Sequence, residues 1–273
     1  MMLARVADSL YWIGRYVERA EHLCRLSDVM LNATLDRHNS GSIVSSLALA
    51  RENARQVRDQ ITTATWERLN MLHLRVTASD APRAFEDGPS AFLHEIIADL
   101  HLFKGAADAT MSHGEGWRFL LLGVHLERAQ LIGRLLEACF GLRRAPEDHM
   151  ALMGVLRMSC ALEPYLRRFT SDVQPRKVLE FLLLDEEFPR SMRFCTARIE
   201  EYLSSAARHA DAGGHSPPER LAGRLRARLQ YADMDEYDGA SGLISSVLED
   251  CAALHRSIYD TFVAYSLETR LPA

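Results

Sequence analysis

The sequence predicts an all-α fold, a multi-helix bundle of about eight to ten helices built on two related halves. Three observations predict it. Apolar residues recur at helical spacing along most of the 273 residues, and no convincing alternating strand pattern is present. Glycine (15) and proline (9) are scarce, which favours long regular elements. A fourteen-residue segment centred on a Glu-Arg pair occurs twice.

Taken in order, residues 3–36 read as one long helix, with Val6, Leu10, Ile13, Val17, Ala20, Cys24, Leu31 and Leu35 in a narrow stripe. Residues 39–42 read as a turn in which Ser42 caps the second helix. That helical region runs from Ile43 to Thr77, with a break expected near Thr62–Thr65, and residues 78–90 read as a loop. Helices are then expected at Ser90–Thr110 and Glu115–Leu142. The next opens at Pro146, and Pro164 should kink or end it. After a turn at 171–175, a short apolar helix spans 176–184, and Pro189 starts another that reaches His209. Asp211–Pro218 (DAGGHSPP) is the clearest linker, and two helices at 217–231 and 241–267 complete the chain. This divides the protein into a helical domain at 1–210, a linker at 211–218 and a C-terminal hairpin at 219–273 packed on the same domain.

Residues 13–26 (IGRYVERAEHLCRL) and 122–135 (LGVHLERAQLIGRL) are identical at six of fourteen positions, including Gly14/Gly123, Glu18/Glu127 and Arg19/Arg128. A weaker echo relates 39–43 (NSGSI) to 188–192 (FPRSM). From Glu18 to Ser42 is 24 residues, whereas from Glu127 to Ser191 is 64, so the first half lacks 40 residues that the second carries.

On a helical wheel Arg19 falls among Trp12, Tyr16, Leu23, Leu26 and Met30, and Arg128 among Leu121, His125, Ile132, Leu135 and Cys139. A guanidinium on an apolar flank must be paired, because a lone buried charge costs several kcal/mol, on the order of 3–5. In a pseudo-twofold bundle Glu18 would meet Arg128 while Glu127 meets Arg19, the two helices approaching closely at Ala20, Ala129 and Gly133. The other reading of these four groups is a polar cleft that holds a charged ligand. Arg51, Arg55 and Arg58 lie on one helix face at spacings where like charges repel, tolerable where water screens them or an anion or carboxylate faces them. Arg220, Arg224 and Arg228 have similar spacing, but Leu221, Leu225 and Leu229 supply the buried face there and leave the arginines solvated.

Composition bounds the function. With 48% apolar and 25% charged residues the chain is ordinary for a globular protein, and a net charge of −5 argues against a general nucleic-acid-binding surface. Lysine occurs only at Lys104 and Lys177, so 30 of the 32 basic residues are arginine. A GC-rich genome is enough to account for that. Cys24, Cys139, Cys160, Cys195 and Cys251 show no CxxC spacing and read as reduced thiols. Arg5, Asp8, Arg15 and Glu18 interrupt the first apolar run, so no signal peptide is expected, nor any membrane span, and the expected compartment is the cytoplasm. No Walker loop, GxGxxG, GxSxG or HExxH motif occurs, and no Glu-x-x-His pair of a di-iron bundle, so no cofactor and no metal is expected.

MLARVADSLYWIGRYVERAE (2–21), SIVSSLALARENARQVRDQ (42–60), WERLN (66–70), HLERA (125–129) and EFLLLDEEFPRSMRFC (180–195) resemble the bacterial alpha-E family, a helical domain named for its Glu-Arg motif. The resemblance departs in one place: the family implies a longer segment, similar to 157–190, before Ser42. What it implies for function is indirect. Such proteins are encoded beside, or fused to, a circularly permuted ATP-grasp protein, often with a transglutaminase-like protease. ATP-grasp enzymes form amide bonds through acyl phosphates. The first expectation is therefore a non-catalytic helical partner of an ATP-grasp amide ligase, docking it and holding an anionic peptide. Candidate ligand-binding residues are Glu18, Arg19, Arg51, Arg55, Arg58, Glu127 and Arg128. The alternatives are a stand-alone enzyme using Glu18 or Glu127 as general base on a small anionic substrate, and a purely structural bundle.

Overall fold

The structure, a computed structural model, describes residues 2–34, 40–141, 148–207, 215–233 and 241–264. Among these, twelve helices and no strand are found, against the eight to ten expected. They are α1 (Ala4–Thr34), α2 (Ser40–Gln56), α3 (Thr63–Val76), α4 (Ala81–Asp87), α5 (Pro89–Thr110), α6 (Glu115–Phe140), α7 (His149–Met158), α8 (Leu162–Phe169), α9 (Pro175–Leu184), α10 (Met192–Ala207), α11 (Pro217–Gln230) and α12 (Ser241–Phe262).

Several boundaries differ from the sequence reading for local reasons. Helix α2 begins at Ser40, so Ser42 lies inside its first turn rather than capping it. The expected loop at 78–90 contains α4, which Pro82 opens as a first-turn residue and whose last N–H bond comes from Gly88 to Ala84. Pro164 neither kinks nor ends a helix. The chain breaks earlier, where Cys160 takes a left-handed φ of 54° and the N–H groups of Cys160 and Ala161 close back on Arg157 and Leu156, and Pro164 sits harmlessly in the first turn of α8. Helix α10 starts at Met192, not Pro189, because Ser191 Oγ accepts the Phe194 N–H at 3.0 Å and caps it. In the expected linker, 211–214 lie outside the described residues, while Pro217 and Pro218 open α11. The last residues of the helix expected to reach 267 also lie outside them.

The helices pack as two units of like pattern. In the first, α1 lies against α2 and α5, while α3 bridges α2 and α5. In the second, α6 lies against α10 and α12, while α11 bridges α10 and α12. The units join through α1 and α6, the most extensive helix pair in the molecule, and one cluster of buried apolar residues runs through both. Helices α7, α8 and α9 stand between α6 and α10 with no counterpart between α1 and α2. They account for the 40-residue excess seen in the sequence.

The crossing of α1 and α6 rests on two glycines. A Cβ on Gly14 would lie 2.0 Å from the carbonyl oxygen of Leu120, and one on Gly123 would lie 2.0 Å from that of Tyr11. These are reciprocal contacts at matched repeat positions. Ala20 and Ala129 are fully buried, but Gly133 serves another purpose than the sequence suggested: it accommodates Leu248 of α12 and Met192 of α10.

Candidate functional site

At the crossing, the repeated Glu-Arg pairs meet crosswise. Arg128 Nε and Nη2 donate to the two oxygens of Glu18 at 2.9 and 2.8 Å, and Arg19 Nε donates to Glu127 Oε1 at 2.7 Å. The pairing expected from the wheel is therefore the pairing observed. The two pairs are not equivalent in depth: the Arg128 side chain is 10% exposed and that of Arg19 35%.

Each pair sits in a larger network. Glu127 also accepts from Arg15 Nε at 2.5 Å, while Arg15 reaches Gln130 at 2.6 Å and the Tyr11 hydroxyl at 3.1 Å, and Tyr11 in turn meets His255 Nδ1 at 2.8 Å. Glu18 accepts from Arg190 Nη1 at 2.8 Å and from Lys104. Glu21, one turn on, accepts from Lys104, Arg190, Arg25 and His101. The repeat is visible here too, since Glu21 and Gln130 occupy matched positions and each accepts a guanidinium.

The delivery of Arg190 explains why EFLLLDEEFPRSMRFC folds as it does. Asp185 Oδ1 accepts the N–H groups of Glu187 and Phe188 at 2.9 and 2.7 Å, and its carbonyl accepts the Ser191 hydroxyl. The turn so fixed points Arg190 at Glu18 and offers the Pro189 carbonyl to Arg128 Nη1 at 3.0 Å.

Sequence reasoning missed Arg15, Glu21, Lys104 and Arg190. Scarcity alone could not single out Lys104, since the other lysine, Lys177, pairs with Asp172 at the surface; what Lys104 supplies is a compact ammonium. Here it fits between two carboxylates.

The electrostatics express burial set against pairing. Burial alone would raise the Glu18 carboxyl, but Arg128, Lys104 and Arg190 override it and hold the group well below its usual range. Glu21 is held down in the same way, mainly by Lys104 against burial and the Glu18 charge. Lys104 is lowered by burial, which the two carboxylates only partly offset. His22 is pushed down to about 4 and His125 well below its usual value, both chiefly by burial. Burial likewise raises the thiols of Cys24, Cys195 and Cys251 to about 12, so none is a ready nucleophile.

These shifts dictate a pH dependence. A buried neutral histidine is charged more readily in the unfolded chain, so stability falls as pH drops from about 6.5 toward 4. The depressed carboxylates add a second loss below 4.5, where the unfolded chain takes up protons that folded Glu18 and Glu21 still refuse. Melting temperature is expected to decline in these two stages, and a flat profile from pH 7 to 5 would contradict the buried neutral imidazoles.

The arginine triplet lies elsewhere. Arg51 and Arg58 stack over the Trp66 ring, 5.7 and 5.6 Å from its centre, and Arg51 Nε donates to Asn70 at 2.7 Å. Arg55 points outward, 61% exposed, and pairs with Glu52. Arg51 and Arg58 thus hold the end of α2 against α3. The three arginines do not face the carboxylates of the Glu-Arg helices, as a shared site would require. On α11, Arg220 donates to the His215 carbonyl and Arg228 pairs with Asp250 at the surface, above buried Leu225 and Leu229.

Among the described residues, no group of three or more His, Cys, Asp or Glu is placed to hold a metal ion. No helix there is long and apolar enough to cross a membrane.

The Glu-Arg motif itself has a counterpart among known proteins. The profile of the family called Alpha-E, "a predicted alpha-helical domain with a conserved ER motif", matches residues 2–37 and 27–263. The two matched ranges overlap at residues 27–37. Uncharacterized protein Rv2567 of Mycobacterium tuberculosis and Uncharacterized protein Mb2597 of Mycobacterium bovis are each 26% identical over 260 residues. The match covers 93% of this chain and 29% of each relative, so the chain spans less than a third of their length. No solved structure matches.

Proposed function

The chain belongs to the Alpha-E family, and from that premise we propose that it is a non-catalytic helical partner of an ATP-grasp amide ligase. It docks the ligase in a bacterial cytoplasm, with a transglutaminase-like protease as a further partner, and helps present an anionic peptide. Arg51, Arg55 and Arg58 with Trp66 form a cationic, aromatic outer face suited to such contact.

One observation supports the non-catalytic part most directly. Every carboxylate oxygen of Glu18 and Glu127 accepts from a cation: Glu18 from Arg128, Arg190 and Lys104, Glu127 from Arg19 and Arg15. A general base needs an available lone pair and a proton affinity near the working pH. Glu18, pinned well below its usual range, offers neither. The stand-alone enzyme reading is therefore weaker, and the Glu-Arg motif reads as the bolt between two helical units.

Co-expression with the ATP-grasp protein tests the proposal. A complex that survives gel filtration, and amide-bond formation that rises when the chain is added, are expected. No association together with unchanged ligase turnover would leave a purely structural bundle. Turnover by the isolated chain would establish the enzyme.

A further inference from the structure

We infer that the cleft between α1, α5 and the α7–α8 bend is a binding site for a carboxylate, built where the buried charge network runs short of negative charge. Two carboxylates, Glu18 and Glu21, are shared by four cations, Arg25, Lys104, Arg128 and Arg190. At Glu18 and Glu21 the cations thus outnumber the carboxylates they pair with by four to two, inside a chain whose overall charge is −5. The charges acting most strongly on Lys104 are these same two carboxylates and two of these guanidiniums.

The excess reaches the surface on one side. Arg25, 7% exposed, gives Nη2 to Glu21, but its Nη1 is buried with no acceptor. An unmade bond of a buried cation is costly. Arg25 lies in the wall of a cleft of about 460 Å³, which His94 and His101 of α5 and Arg157 of α7 also line. Arg157 is exposed and makes no ion pair among the described residues. His101 lies over Arg25, its Nε2 3.3 Å from Arg25 Nη2 and 3.0 Å from Glu21, yet the ring is 54% exposed. Arg25 and Arg157 both line the cleft, and outward rotation of the exposed His101 ring would uncover the Arg25 guanidinium to an anion held there.

The rim sets the class of ligand. Asp28, paired with His94 at 3.0 Å, and exposed Glu163 stand at the same cleft. Two carboxylates there oppose a multiply charged anion, so a singly charged carboxylate is favoured over phosphate. Planar, two-point recognition of a carboxylate is also what guanidinium groups do best. The outer wall comes from the α7–α8 bend, part of the segment that only the second half of the chain possesses. The site thus arises from the asymmetry of the repeat, and it stands whether or not the chain docks a ligase.

Histidine resonances provide the readout. The chain, labelled at histidine, is titrated with N-acetylglycine and separately with inorganic phosphate, each at ionic strength matched with chloride. Saturable shifts of His94 and His101, with His73 beside Arg51 unmoved, are expected for N-acetylglycine and not for phosphate. Arg157→Gln should weaken binding about tenfold, the scale of one charge-assisted hydrogen bond, without changing the unliganded melting temperature. Unmoved His94 and His101 resonances, or wild-type affinity in Arg157→Gln, would overturn the site. Stronger binding of phosphate would overturn the carboxylate assignment. Shifts at His73 alone would return ligand binding to the arginine triplet, leaving the docking proposal standing and this one rejected.

Discussion

Glu18→Gln is expected to be the most destabilising single substitution in the Glu-Arg helices, by on the order of 5 kcal/mol. The amide keeps the shape but removes the charge that Arg128, Arg190 and Lys104 share, at a side chain 1% exposed. Four cations would then face Glu21 alone. Arg128→Ala should cost less, about 3 kcal/mol, because Glu18 keeps Arg190 and Lys104 and the main losses are two hydrogen bonds and an unpaired Pro189 carbonyl. Arg19→Ala, which the helical wheel puts on a par with Arg128, should cost only about 1 kcal/mol, since Glu127 retains Arg15 and Arg19 is a third exposed. Arg220→Ala should stay within about 0.5 kcal/mol. Urea midpoints of the four variants check the order. Equal shifts for Arg128 and Arg19, or a mild Glu18→Gln, would contradict the uneven depth and charge sharing of the two pairs.

That order also shows how far the sequence could be read. The crosswise pairing was legible because the repeat supplies a symmetry and the wheel supplies a flank: two guanidiniums on apolar sides, each with one matching carboxylate in the other copy. Their unequal burial was not legible, because it depends on residues brought in from distant parts of the chain. Arg190 arrives from the Asp185 turn and Lys104 from α5, far along the chain from Glu18, and periodicity carries no information about either. The arginine triplet failed for a related reason. Its spacing implies one helix face, but α2 ends at Gln56, so Arg58 lies beyond it; Arg51 and Arg58 meet Trp66 of α3 while Arg55 points outward to Glu52. Helix α4 escaped because Pro82 and Gly88 punctuate it so closely that they read as a loop, although proline at a first helical turn is a start signal.

The glycines teach the same lesson at the crossing and lead to the second large effect. Small residues on the α1 and α6 stripes were legible as a place of close approach, yet the sequence does not say which small residue touches which helix. Gly133, in the stripe, receives Leu248 and Met192, whose flexible ends can shift. Gly14 and Gly123 receive rigid backbone instead, each facing a carbonyl oxygen of the opposite helix at 2.0 Å from where a Cβ would stand. Relief of that clash requires the helices to separate by about 1 Å or more, since carbon and oxygen do not pack closer than roughly 3 Å. Separation would lengthen the bonds that Glu18 and Glu127 make across the same crossing, so the strain and the loss of charge pairing come together. Gly123→Ala is therefore expected to cost on the order of 3–4 kcal/mol, above the usual range for one added methyl in a core. Gly133→Ala should cost about 1 kcal/mol, because side chains rather than backbone must yield. The pair is read by thermal melts. The same cost at both positions would show that α1 and α6 can part freely, and would remove the case that glycine holds the Glu-Arg motif in register.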